Sequence, residues 1–178
     1  MSEQKKDSWN TFVAFSTAVM AVLAAVTTLY VGKFSSRMIL LQAQESDQWN
    51  YYQAKSIKSH NFELQKEFLE LELLTQKNKI TKEAAVVFEK AIAGHEDSLK
   101  RYEKEKKEIK AKAEDMAKNK ETAQRRTGVF GYALIFLQIG IMLSSISVLS
   151  KKRPLWFIGL GMSIVAVFYF LNGLYLFY

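Results

Sequence analysis

Two histidines are the side chains in this sequence whose type and spacing first suggest metal chemistry. His60 and His95 lie on either side of a polar break at residues 75–81, and Glu63 and Glu96 are close to them. If the chain folds back at this break, the two imidazoles come to nearly the same height. A catalytic zinc site needs three protein ligands in fixed geometry, with further hydrogen bonds that orient them. We therefore predict no metal, and instead a polar layer that sets the pairing register of two helices.

Motifs for other kinds of chemistry are missing from the sequence. There is no cysteine, which excludes disulfides, thiolate metal sites and a cysteine nucleophile. The sequence also lacks H-E-x-x-H, Walker A, G-x-S-x-G and dinucleotide-binding motifs. The many carboxylates alternate with lysine and arginine, as on a solvated helix surface. We expect no enzymatic activity and no cofactor.

The apolar residues are concentrated in three nearly charge-free runs, which makes the mean hydropathy of -0.08 misleading. These runs are residues 11–31, 127–150 and 154–178, and each exceeds the roughly 20 residues that a helix needs to cross a bilayer. Trp and Tyr residues at the ends of the first and third runs match the aromatic belts of membrane interfaces. We predict three transmembrane helices, flanked by an N-terminal tail at residues 1–10 and a loop at 151–153.

Residues 32–126 differ sharply from these runs, because they contain 20 Lys and Arg and 16 Asp and Glu. The segments before and after the break are nearly equal in length, about 65 Å each as helices. This match predicts an antiparallel helical hairpin with its turn near residues 75–81. The predicted fold class is therefore all-α, with three transmembrane helices and a long coiled-coil hairpin between the first and second spans.

Heptad spacing is clearest on the returning arm of this hairpin. Apolar and polar residues recur there in alternating steps of three and four, which is the a/d pattern of a coiled-coil seam. The seam includes Phe88, Ile92, His95, Leu99, Tyr102 and Ile109. The outgoing arm has apolar clusters instead, such as Leu64, Phe68 and Leu71 with Leu69 and Leu73 beside them.

Small residues form a stripe along the first predicted span, again in steps of four and three. They are Ala14, Ala18, Ala21, Ala25, Thr28 and Gly32. Small side chains allow close helix approach in lipid. The stripe predicts packing against the other two spans or, alternatively, a subunit interface in a homo-oligomer. A pore lining is a further alternative, although alanine would make an apolar constriction.

An aromatic and amide-rich segment follows, and its candidate interaction residues are Trp49, Tyr51, Tyr52, Gln53, Lys55 and Lys58. It predicts a packed layer between the arms or a site for a partner or ligand. This segment includes the string WNYYQAKSIK. Together with the block from Lys151 to Gly161, it resembles the corresponding segments of a bacterial family of small multi-pass membrane proteins, which is described only as a domain of unknown function. The resemblance implies a multi-pass membrane protein and no particular activity.

The basic loop Lys151, Lys152 and Arg153 predicts the topology through the positive-inside rule. We expect a bacterial inner-membrane protein with this loop and the N-terminus in the cytoplasm, and the hairpin and C-terminus in the periplasm. The opposite orientation is the alternative, because basic residues also flank the membrane on the hairpin side: Lys33, Arg37, Lys120, Arg125 and Arg126. Although the net charge is +7, its interleaving with acidic residues argues against nucleic-acid binding. The expected partners are the lipid bilayer, further copies of the chain and an unknown protein.

These features predict a non-enzymatic membrane protein that self-assembles or acts as a scaffold through its hairpin. One alternative is a subunit of an oligomeric pore or channel. Another is a membrane-anchored adaptor that docks partners at the tip of the hairpin.

Overall fold

A computed structural model describes the backbone of residues 2–76 and 80–177, and the side chains from residue 9 onward. These residues form three α-helices and no strand: α1 (Ser2–Thr75), α2 (Lys82–Ser150) and α3 (Arg153–Tyr175). The predicted all-α class is confirmed. Each helix contains a stretch long and apolar enough to cross a membrane, so the chain is compatible with a membrane protein, as the composition predicts.

Local hydrogen bonds define where α1 ends and α2 begins. The Thr75 hydroxyl donates to the carbonyl of Leu71 at 2.9 Å in the last turn of α1. Thr81 precedes α2, and its hydroxyl oxygen accepts from the N–H of Ala84 at 3.3 Å, as an N-cap does. The predicted turn therefore falls between these helices, and its residues 77–79 lie outside the described part of the chain.

The connection between α2 and α3 is short and depends on backbone geometry. Lys151 adopts the left-handed conformation with φ 56°, which stops α2. Lys152 is extended, and Pro154 occupies the first turn of α3, where a missing N–H costs little. The Ser147 hydroxyl donates to the carbonyl of Lys152 at 3.1 Å and fixes the loop against α2.

The chain divides into two units, and each draws on both long helices. The first, here the apolar unit, comprises residues 1–40 and 119–178; the second, here the charged unit, comprises residues 41–118. In the apolar unit the core is made of residues from all three helices, including Met20, Leu137 and Ala166.

Two glycines bring α2 and α3 into backbone contact inside the apolar unit. A Cβ atom on Gly140 would lie 2.9 Å from the carbonyl oxygen of Gly159, and a Cβ on Gly159 would lie 2.9 Å from that of Gly140. Side chains at either position would force the helices apart. This is the close approach by which small residues stabilise helix pairs in lipid, where dispersion replaces the hydrophobic effect.

A cluster of aromatic rings forms a second contact between the helices of the apolar unit. Phe130 is fully buried, and its ring centroid lies 5.1 Å from that of Tyr30 and 5.5 Å from that of Phe170. Gly173 leaves room for this ring, because a Cβ there would be 2.8 Å from it. One aromatic cluster thus joins all three helices.

In the charged unit, the two helical segments run antiparallel. Moving forward along α1 from Lys55 to Phe62, the partner on α2 moves back from Glu105 to Tyr102 and His95. Regular heptad spacing on both segments produces this pairing, since steps of three and four keep side chains on one helix face.

Candidate functional site

The predicted seam residues of α2 lie on its face toward α1 within the charged unit. Tyr102 and Ile109 are buried, while Phe88, Ile92, His95 and Leu99 are half-buried. The ring of Phe62 on α1 lies between two of them, with centroids 5.5 Å from His95 and 5.6 Å from Tyr102. These rings build the interface between the two segments.

Lys55 links the two segments electrostatically. Its Nζ lies 2.6 Å from Oε2 of Glu105, and 5.4 Å and 5.2 Å from the ring centroids of Tyr51 and Tyr102. The hydrogen bond to Glu105 raises the pKa of Lys55, and the same bond lowers the pKa of the Glu105 carboxyl. Lys55 is therefore a structural contact, because its charge is already matched by a carboxylate and two aromatic faces.

The other residues of the candidate interaction segment divide into a packed side and an open side. Tyr52 is half-buried, and its ring meets that of Trp49 edge to face at 5.8 Å. Tyr51, Gln53 and Lys58 are exposed, as is part of Trp49. The segment thus offers an aromatic edge rather than an enclosed site.

The two histidines do not share the predicted polar layer. His60 is exposed and its Nδ1 lies 3.3 Å from Oε2 of Glu63 on the same helix. His95 packs on Phe62 instead. The prediction was wrong because Phe62, two residues further along α1, turns about 200° away from His60 and takes the inner position. Among the described residues, no group of three or more His, Asp and Glu side chains could hold a metal ion.

A second apolar line runs along α1 in the charged unit, and sequence reasoning missed it as a separate face. We call it the outer seam; it consists of Ile57, Asn61, Leu64, Phe68 and Leu71. Its steps of four and three repeat the heptad pattern. Its four apolar side chains are 50–65% exposed, so half or more of each lies free in the described chain.

The same segment of α1 carries a second line of residues on its face toward α2, which we call the inner line. Residues packed toward α2 follow their own heptad spacing and are buried or half-buried: Tyr52, Lys55, Ser59, Phe62, Lys66 and Leu69. The two lines are offset by two residues, or about 200° around the helix. The two lines are hard to separate in the sequence, because Leu69 of the inner line and Leu73, one turn further on, alternate with Leu64, Phe68 and Leu71.

Shallow depressions border the outer seam. One of about 400 Å³ is lined by Leu64, Phe68 and His95, among others. Another of about 340 Å³ lies beside Asn61 and Tyr102. Side chains from a further helix laid on this seam would have space between the exposed residues.

The small-residue stripe of α1 lies on the exposed side of that helix. All six of its residues, from Ala14 to Gly32, are exposed. The helix packs instead through a face with Val13, Met20 and Thr27, which are 0–4% exposed. The stripe is therefore open to lipid or to another chain, and its role in association stays a prediction.

The three side chains of the basic loop are exposed. A role in setting the membrane topology does not require them to pack. Lys151, Lys152 and Arg153 are all exposed, and the Arg153 guanidinium lies 5.7 Å from the ring of Trp9. This contact lies at one end of the apolar unit, where a cation and an aromatic ring are typical of a membrane interface.

Comparison with known proteins identifies a family for the chain. The model of the family described as domain of unknown function DUF4337 matches residues 9–176. The chain belongs to this family. The match covers both units of the DUF4337 chain, including the outer seam, the stripe and the basic loop. No curated protein and no solved structure matches it.

Proposed function

We propose that this DUF4337 protein is a non-enzymatic integral membrane protein that self-assembles through the outer seam of its helical hairpin. The observation that carries the proposal is the exposed heptad line on α1 of the charged unit, from Ile57 to Leu71. In water, a line of leucine and phenylalanine on an open helix face is unfavourable unless another surface covers these side chains.

The spacing of the outer seam favours a helix as its partner. Steps of three and four place side chains in one nearly straight line, which matches another helix packed by knobs into holes. Leu64 and Phe68 project beside the depression that reaches His95. An extended strand or a flat surface would not fit this periodicity.

A second copy of the chain is the occupant that the seam fits best. Each copy carries the same line of residues, and copies inserted the same way in one membrane run parallel to each other. A two-fold axis then pairs Asn61 with Asn61 and Leu64 with Leu64. A single asparagine in an apolar seam fixes register and favours a defined number of chains, at some cost in stability.

The mass of the protein in a neutral detergent tests self-assembly. We expect the wild-type chain to be at least a dimer, and the variant Leu64→Asn with Phe68→Asn to be a monomer. Val86→Asn with Val87→Asn is the matched control, because these side chains are equally exposed but lie off the seam. A wild-type chain that is a monodisperse monomer would contradict the proposal.

Cross-linking tests the position of the interface. Because the chain contains no cysteine, Asn61→Cys introduces a single thiol. Two such thiols facing each other across the two-fold axis should form a disulfide under mild oxidation. Glu63→Cys, exposed but on another side of the helix, should not. Equal cross-linking of both variants would show random collision.

Docking of a different protein near the turn is a second candidate, favoured by one further observation. A depression of about 350 Å³ is lined by Leu74, Ile80 and Ala85, and Leu74 is 68% exposed. Substituting Leu74→Asn should remove a co-purified partner while leaving the mass of the detergent-purified chain unchanged. A pull-down that keeps the same proteins would exclude this role.

The topology that we propose places the Lys151–Arg153 loop and the N-terminus in the bacterial cytoplasm, with the hairpin outside. The three basic residues in a short loop support it, while the basic residues next to the spans on the hairpin side adjoin a long segment, which the positive-inside rule discounts. Gln76→Cys should react with an impermeant thiol reagent in intact cells. Labelling only after lysis would reverse the orientation. A pore along the α1 stripe stays an alternative, and conductance in liposomes would reveal it.

A further inference from the structure

We propose that a basic pocket in the apolar unit binds the phosphate group of an anionic phospholipid. The pocket has a volume of about 320 Å³ and lies between α1 and α2. Lys33, Phe34 and Arg37 line it from α1, and Asn119, Thr122 and Arg126 line it from α2. This volume lies within the range of small-ligand sites, about 300–1,000 Å³.

The charge of the pocket points to an anion. Its lining includes three cations and no carboxylate. Two of these cations, Lys33 and Arg37, lie one helix turn apart on α1. Like charges at this spacing repel each other. A bound anion would offset the repulsion.

Arg126 is held in place by the protein and still has donors to offer. Its Nη1 donates to the carbonyls of Leu174 at 3.1 Å and Gly173 at 3.4 Å, near the end of α3. Its guanidinium also lies 5.2 Å from the ring centroid of Phe34. A guanidinium has five N–H donors, and both of these bonds start from one nitrogen. The others can donate to phosphate oxygens in the geometry that phosphate favours.

The position of the pocket identifies the source of the phosphate. Lys33 is the first charged residue after the charge-free run of α1, and Arg126 is the last one before the charge-free run of α2. Charged residues at the ends of such runs lie at the level of lipid headgroups. Basic pockets between membrane helices on the cytoplasmic side bind anionic headgroups, and the same pairing of cation with phosphate applies in the other leaflet. The inference needs the apolar unit to be in a membrane, and does not depend on self-assembly.

Lipid retention by the full-length chain tests this inference. The protein is purified in neutral detergent, supplied with phosphatidylglycerol or phosphatidylcholine, and analysed by native mass spectrometry. We expect retention of phosphatidylglycerol in preference to phosphatidylcholine. Lys33→Gln with Arg37→Gln should weaken it about 25-fold, since each basic residue near a headgroup contributes about fivefold. Arg126 is left unchanged, because it also holds the end of α3.

Two further variants make the test specific. Lys151→Gln with Lys152→Gln removes the same number of charges at an exposed loop and should weaken retention much less than the pocket pair does. Lys33→Arg with Arg37→Lys keeps both charges and should retain the lipid, which shows that loss in the neutral pair comes from charge. If the neutral pair does not fold, Arg37→Gln alone should give about a fivefold loss.

Three outcomes would overturn the inference. Equal losses in the pocket pair and the loop pair would show a general surface-charge effect. Equal retention of the two lipids would show that the anionic headgroup is not recognised. Displacement of phosphatidylglycerol by the same concentration of inorganic phosphate would assign the pocket to a soluble anion instead.

Discussion

The two units of this chain use the same secondary structure, and both bury aromatic rings, but they differ in how closely two helices approach each other. In the apolar unit, α2 and α3 meet at Gly140 and Gly159 with almost no side chain between them. In the charged unit, large residues such as Phe62 and Tyr102 separate the helices, and an ion pair joins Lys55 to Glu105. Close backbone contact is the effective solution where lipid surrounds the helices, while burial of large side chains is effective in water.

From this comparison we expect that removing a buried aromatic ring lowers the free energy of unfolding most in the charged unit. Tyr102→Ala removes the ring that contacts both Phe62 and Lys55, and should cost about 3–5 kcal/mol as a large-to-small core substitution in water. Faster hydrogen exchange in residues 41–76 and 80–118 would measure it. Tyr51→Ala, at a half-exposed position, should cost under about 1 kcal/mol. Equal effects of the two variants would contradict the assigned core.

Removing a buried aromatic ring from the apolar unit should lower the free energy of unfolding by a smaller amount. Phe130→Ala empties the centre of the aromatic cluster. We expect about 2 kcal/mol, because in lipid the ring stays in an apolar medium after the helices separate, and only packing is lost. Unfolding in detergent measures this, with the exposed Phe168→Ala as control. A cost above that of Tyr102→Ala would break the comparison and favour an aqueous surrounding.

The glycine crossing provides a matched pair on one helix. Gly159→Ala puts a methyl group 2.9 Å from a backbone carbonyl, which cannot rotate away, and should cost about 1.5 kcal/mol through overpacking. Gly161→Ala, two residues on, has nothing within 4 Å of the new methyl and should be nearly neutral. Thermal unfolding in detergent compares them. If both variants unfold at the wild-type temperature, α2 and α3 do not cross there.

The smallest expected effect is the pH dependence of the charged unit. Lys55 holds the pKa of Glu105 below its ordinary value of 4.5, so the ion pair stabilises the fold above that pH and its contribution is lost as the pH falls through the lowered pKa. The pKa of Lys55 is raised above its ordinary value of 10.5, so on the basic side the contribution is complete below pH 10.5 and is lost as the pH rises through the raised pKa.

Glu105→Gln should therefore flatten the acid side of the stability profile, measured as hydrogen exchange of residues 80–118 between neutral and acidic pH. Glu114→Gln is the control, because its ion pair with Lys110 lies along its own helix and does not join the two segments. An unchanged acid limb in Glu105→Gln would show that the pair contributes nothing between the helices.

Much of the helical architecture could be read from the sequence, for a definite reason. Helix periodicity is a local property, so the spacing from Phe88 to Ile109 predicts which face of α2 packs. Thr81 as N-cap and Pro154 in the first turn of α3 are equally local. Partner identity is different, since nothing in the spacing says whether His60 or Phe62 will face His95.

The candidate surfaces, too, could be predicted only in part from the sequence. The stripe from Ala14 to Gly32 could be found in the sequence, but its exposure depends on which face of α1 the other helices cover. The outer seam could in principle be found from its steps of four and three. It is hard to separate from the inner line because both faces of this segment are apolar, and only packing separates them.

The sequence by itself determined that this is an all-helical chain with three membrane-compatible runs and one charged region, because composition and periodicity act over a few neighbouring residues. Tertiary structure alone decided the contact of Gly140 with Gly159, the inner position of Phe62 and the hold of Arg126 on the carbonyls of α3. Each joins residues far apart in the chain, where the rotation of one helix against another selects the partners.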